Sequence, residues 1–153
     1  MKNKLIFIEL NEINFDLVRK YSEQHSFKTF NKNFFSKLKT TKSEDENNLL
    51  EPWIQWVSIH TGLSAKDHKI FRLGDFKDKN LQHIFQKIES KGFEVGAISP
   101  MNVTNNLERS KYFIPDPWIK NQEPKSFFQK KIYYALSEAV NKNSGSKISF
   151  QSK

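Results

Sequence analysis

Apolar positions fall into short runs separated by polar stretches, and the period of each run predicts an element. Residues 4–10 (Lys-Leu-Ile-Phe-Ile-Glu-Leu) are apolar almost without alternation, as expected of a strand buried on both faces of a parallel sheet. Asn14 is a helix-capping residue type. Phe15, Val18 and Tyr21 come after it at i, i+3, i+6 with Leu17 beside them, which predicts a helix ending near Gln24. Phe30, Phe34 and Leu38 at i, i+4, i+8 predict a second amphipathic helix over 29–38. Residues 40–48 are polar and read as an exposed strand or loop.

Residues 52–61 (Pro-Trp-Ile-Gln-Trp-Val-Ser-Ile-His-Thr) read as a short, mostly buried helix. Proline suits its first turn and Gly62 suits the position just past its end. Its serine, Ser58, is expected toward the N-terminal half, where free N–H groups and the helix dipole favour anions. Residues 66–78 carry few regular signals apart from the turn dipeptide Gly74-Asp75, and read as a loop. Leu81, Ile84, Phe85 and Ile88 predict a helix over 80–91 stopped by Gly92, and 93–98 reads as a second strand. A short helix is expected over 102–109. Pro115-Asp116-Pro117-Trp118 forms a rigid extended break. Phe127, Phe128, Ile132, Tyr133, Leu136 and Val140 predict an amphipathic helix over 125–140, and 141–153 has the composition of a disordered tail. Strands alternating with helices predict an α/β fold, a parallel sheet flanked by helices.

Composition narrows the function. The formal charge of +8 invites a nucleic-acid reading, but it comes from scattered lysines and only three arginines. Nucleic-acid surfaces recruit arginine for bidentate contacts, so a basic nucleic-acid-binding module ranks third among the readings. No run reaches the roughly 18 apolar residues of a membrane span. The apolar run after Lys4 is short and interrupted by Glu9, unlike a signal peptide, so a cytoplasmic protein is expected. Having no cysteine, the chain can form neither disulfides nor thiolate metal sites. It also lacks a glycine-rich phosphate loop and a His-Glu-x-x-His motif.

The run from Glu51 to Leu63 with the adjoining Ser64-Ala65-Lys66-Asp67-His68 resembles the nucleophile region of the alkaline-phosphatase-like superfamily, which includes phosphodiesterases of the nucleotide pyrophosphatase type and sulfatases. There a proline-containing run carries a nucleophilic Thr or Ser ahead of a Thr-Gly, with a histidine shortly after. Pro52, Ser58, Thr61-Gly62 and His68 stand in that order. Residues 5–12 resemble the family's first strand, whose end carries a metal-binding Asp and then Gly; Asn11, or alternatively Glu9, takes the Asp position, and Glu12 replaces the glycine. The resemblance covers 4–118.

The resemblance implies a metal-dependent hydrolase of phosphate mono- or diesters, less so of sulfate esters, acting through a seryl nucleophile. Ser58 would attack phosphorus. Asn11 and Glu9 would form the metal end, with zinc the commonest ion and manganese or calcium also used. Ligands collect at the carboxyl ends of parallel strands, where Asn11 is expected. A carboxylate such as Glu9 inside a buried strand is costly unless paired or metal-bound. Arg72, in the loop after His68, and Asn102, in the turn after the second strand, are candidate substrate contacts. His68 stands where the family has a His-Gly pair, here His68-Lys69, and is expected to organise the turn; His60, on a different helix face from Ser58, is expected in the core or just behind the site. Residues 1–118 would be a partial domain of this class, with 119–142 a helical segment and 143–153 a tail. Family members are longer and carry further Asp and His ligands in their second half, so the chain reads as an N-terminal part, weakly active or inactive without a C-terminal half. The alternative is a non-catalytic remnant or interaction module.

Overall fold

The computed structural model describes residues 4–28, 34–44, 49–119 and 122–142. The chain separates into two compact units, Met1–Lys42 and Ser43–Lys153.

In the first unit the capped helix forms as expected. Helix α1 spans Phe15–Gln24, and the Asn14 carboxamide accepts from the N–H groups of Asp16 (3.1 Å) and Leu17 (3.0 Å). The strand predicted over 4–10 does not form. Leu5, Ile6, Phe7, Ile8 and Leu10 are all exposed, Ile6 to 84%. A strand apolar on both faces is stable only with neighbours along its edges and layers over its faces, and none of the ladder bonds among the described residues involves this run. Of the helix expected over 29–38, residues 29–33 lie outside the described residues, and Phe35–Lys37 forms a single 3-10 turn.

The second unit is α/β: four helices and one two-stranded parallel sheet among the described residues. Helix α2 is Pro52–Thr61, with Pro52 in its first turn and Gly62 in the left-handed conformation (φ 75°) closing it. Ile54 and Val57, one turn apart, bury into two clusters, one with Leu49 and Ala65, the other with Ile70 and Phe76. The expected loop over 66–78 is more ordered than its composition suggests. It holds helix α3, Ala65–His68, and a 3-10 turn, Asp75–Asp78.

Helix α4, Ile84–Ser90, begins later than the apolar period implies because His83 caps it. The His83 ring nitrogen Nδ1 accepts from Gln86 N–H (3.4 Å), and the Gln86 side chain accepts from His83 N–H (3.2 Å). Strand β1, Gly96–Ile98, pairs in parallel with β2, Tyr112–Ile114, a strand that the hydrophobic pattern does not predict; Gly96 faces Tyr112, Ala97 faces Phe113 and Ile98 faces Ile114. Ala97, Phe113 and Val103 form a third cluster. Helix α5, Phe127–Asn141, lies against β2, its buried Tyr133 hydroxyl donating to Ile119 C=O (3.0 Å).

The connection between the two strands contains no helix, contrary to the expectation for 102–109. Two causes are visible. Asn102 adopts φ 52°, and the N–H groups of Glu108 and Arg109 are taken by the buried Glu89 carboxylate of α4 (3.0 and 2.7 Å). Val103, Thr104, Asn105 and Asn106 also have poor helix propensity.

Burial makes His83 a poor base. Desolvation first, then the nearby His60, lower its pKa from 6.5 to about 4, against smaller raising effects of Thr104 and Glu89. Above about pH 6.5 both folded and unfolded states hold His83 neutral and the full stability is present. Below it the unfolded chain takes up the proton first, so stability is lost as pH falls toward 4. The total loss is on the order of 3 kcal/mol. Replacement His83→Asn keeps a capping oxygen and removes the titration. Denaturant unfolding between pH 7 and 4 should be correspondingly less pH-dependent in the variant; an unchanged slope would contradict this assignment.

Candidate active site

Ser58 is the seventh of ten residues in α2, so it lies in the C-terminal half of the helix and not toward the N-terminus as expected. It sits about 9 Å along the axis from Pro52 at the helix start, too far for the free N–H groups there to hold an anion against it. An imidazole faces the hydroxyl instead. Ser58 Oγ and His68 Nε2 are 3.1 Å apart.

His68 is brought there by a tightly stopped helix. Ser64 caps α3, accepting from Asp67 N–H (3.3 Å) and donating to the Asp67 carboxylate (2.6 Å), and Glu44 accepts from Ala65 N–H (2.8 Å). One turn later Lys69 takes a left-handed conformation, φ 54° and ψ 37°, and the chain reverses so that Ile70 N–H donates to His68 Nδ1 (3.0 Å). His68 is only 2% exposed. Desolvation lowers its pKa and outweighs the raising effects of Glu44 and Asp67, which keeps the ring neutral at pH 7. The expected turn-organising role of His68 is therefore visible in its Nδ1 bond. Its contact with Ser58 had no sequence signal beyond the ten-residue separation. Glu44 had none at all.

Asn102 lies in the same unit but is fully engaged. Its side-chain oxygen accepts from Gly74 N–H (3.0 Å), and its amide donates to the carbonyls of Trp53 (2.9 Å) and Arg72 (3.1 Å). Its own N–H donates to Asp116 Oδ2 (2.9 Å). Asn102 thus ties the first turn of α2 to the 72–74 loop and to Asp116. Arg72 takes part through its carbonyl; its side chain is exposed. Asp116 is buried, and burial raises its pKa against the lowering bonds from Trp118 and Asn102. His60 is buried between Trp56 and Phe85, ring centroids 5.7 and 5.6 Å away, in the core as expected.

Asn11 and Glu9 belong to the first unit, Asn11 exposed and Glu9 half-buried, on a segment that is not a strand. Among the described residues, no three His, Asp or Glu side chains gather where a metal ion would be held, and structural or catalytic zinc needs at least three protein ligands. The described residues therefore do not fit the implied ion by themselves. A cavity of about 400 Å³ opens between β2 and the start of α5, lined by Lys111, Tyr112, Glu123 and Gln129 among others; neither Ser58 nor His68 lines it.

Two substitutions test this local architecture. Asn102→Ala strands Gly74 N–H and two carbonyls and should cost about 2–4 kcal/mol in denaturant unfolding. Lys69→Gly relieves a left-handed non-glycine residue and should stabilise by about 1 kcal/mol, raising the melting temperature by a few degrees. A neutral Asn102→Ala or a destabilising Lys69→Gly would refute the corresponding role.

No family model, curated protein or solved structure matches this chain.

Proposed function

We propose that this chain is the nucleophile-bearing part of an alkaline-phosphatase-like hydrolase of small phosphate mono- or diesters, with Ser58 as the attacking hydroxyl. The observation that carries the reading is the Ser58–His68 pair, a half-buried hydroxyl on one helix held by a buried imidazole from the next. In the reaction Ser58 Oγ bonds to phosphorus, the bond from phosphorus to the alcohol oxygen breaks, and water later releases the phosphoryl group from the serine. The divalent ion, zinc or alternatively manganese or calcium, would supply Lewis-acid charge. Asn11 and Glu9 are the residues the resemblance offers to it; an ion needs further ligands than these two.

A non-catalytic interaction module is the second reading, favoured by the lack of a three-ligand cluster among the described residues. Hydrolysis of p-nitrophenyl phosphate and bis-p-nitrophenyl phosphate, with zinc or manganese added, separates the two. The expected result is slow turnover that disappears in Ser58→Ala while the variant still folds. Equal turnover in both proteins would exclude Ser58 as the nucleophile, and none in either would favour the module.

A further inference from the structure

The Ser58–His68 contact resembles the serine–histidine pair of acyl hydrolases, in which the imidazole removes the hydroxyl proton. The other ring nitrogen decides whether that chemistry is available. In such pairs Nδ1 carries a hydrogen that it donates to a carboxylate, leaving Nε2 free to accept. Here Nδ1 faces Ile70 N–H at 3.0 Å. A main-chain amide has one hydrogen and can only donate it, so Nδ1 must present a lone pair. Neutral imidazole has a single N–H, which therefore sits on Nε2 and points at Ser58 Oγ.

We infer that His68 is a fixed hydrogen-bond donor to Ser58 and not its general base, which makes it a positioning residue and restricts the site to electrophiles that need no imidazole base. The two nearby carboxylates leave this polarity intact. No bond runs from Nδ1 to either of them: Glu44 accepts from Ala65 N–H through Oε1 while its buried Oε2 has no partner among the described residues, and Asp67 accepts from the Ser64 hydroxyl. Full burial of the ring and the short Lys69 turn hold the orientation.

The consequence for substrate class rests on the proposed reading that Ser58 is the nucleophile; the tautomer does not. A donor aimed at Oγ stabilises the negative charge that builds on it as its proton departs. During phosphoryl transfer that proton passes to the departing alkoxide oxygen, which leaves as the alcohol, and His68 keeps its own proton throughout. Neutral carboxylic esters and amides, which depend on imidazole to take the seryl proton, are excluded as substrates.

The test uses the full chain labelled with 15N at its four histidines, at pH 8. Long-range proton–nitrogen spectra distinguish a protonated from an unprotonated ring nitrogen, and His68→Gln identifies the His68 signals by their loss. The expected spectrum has His68 protonated at Nε2 and bare at Nδ1. A proton on Nδ1, or a doubly protonated ring at that pH, overturns the inference. In parallel, p-nitrophenyl acetate, a neutral carboxylic ester, should be hydrolysed no faster by the chain than by Ser58→Ala, and ester turnover that requires Ser58 overturns the inference independently. An Nε2–H tautomer without any phosphatase turnover would remove the hydrolase reading and leave the donor assignment standing.

Discussion

The second unit depends on a single buried carboxamide. Asn102 uses its side-chain oxygen and both amide hydrogens on main-chain groups from two different segments, and its own N–H on a buried carboxylate. Each partner would otherwise be a polar group left without water, at a cost of about 1–3 kcal/mol apiece. The residue also sits at φ 52°, a conformation that asparagine tolerates better than most side chains. Position 102 therefore demands a short side chain with one acceptor, two donors and tolerance of the left-handed region, and few residues other than asparagine meet all of these. Helix α2, which carries Ser58, is anchored at its first turn by this knot. At its other end Thr61 C=O accepts from Lys87 Nζ (3.2 Å), a cation placed where the helix dipole favours one.

Polar side chains also supply the order that a longer sheet would otherwise provide. Glu89 gathers the chain before β2, Glu44 caps α3, and His83 caps α4. A two-stranded sheet is marginal alone, and the connection between its strands has no helix of its own to pack. Directional bonds from helices to loop amides take over that role. They explain why three of the four histidines are buried without forming a metal cluster among the described residues. His83 is a cap, His68 holds a turn and a serine, and His60 fills space between aromatic rings.

The helices were legible wherever a cap and a period agreed. Asn14 with Phe15, Val18 and Tyr21, and Pro52 with Gly62, mark α1 and α2 because capping and the αL stop are local events. Helix α5 was legible from its period, although Phe127 and Phe128 on that stripe are exposed. Long-range interactions decided the rest. The run at 4–10 has a strand's composition but lacks, among the described residues, the neighbours that strand formation requires. Strand β2 is only three residues long and is defined by its pairing with β1. Asn102 and Ser58 are both candidate site residues in the sequence, yet the sequence could not say that one is a structural knot and the other faces a histidine. That distinction depends on partners 28 or more residues away for the side chain of Asn102, and on a helix only four residues long for Ser58.

Gly96 has a consequence for how the two strands find their alignment. The ring of Tyr112 lies directly over it, so close that a Cβ there would come within 2.3 Å of the aromatic carbons. Sliding β1 by two residues in either direction would keep the same face inward but bring Glu94 or Ile98 under the ring, and neither leaves room for it. Sliding it by one would turn Ala97 out of its cluster with Phe113 and Val103. The absent methyl group at position 96 thus acts as a notch that admits one registration and rejects its neighbours. In a ladder of three residue pairs, too short to select its own alignment by hydrogen bonds, excluded volume supplies that selection.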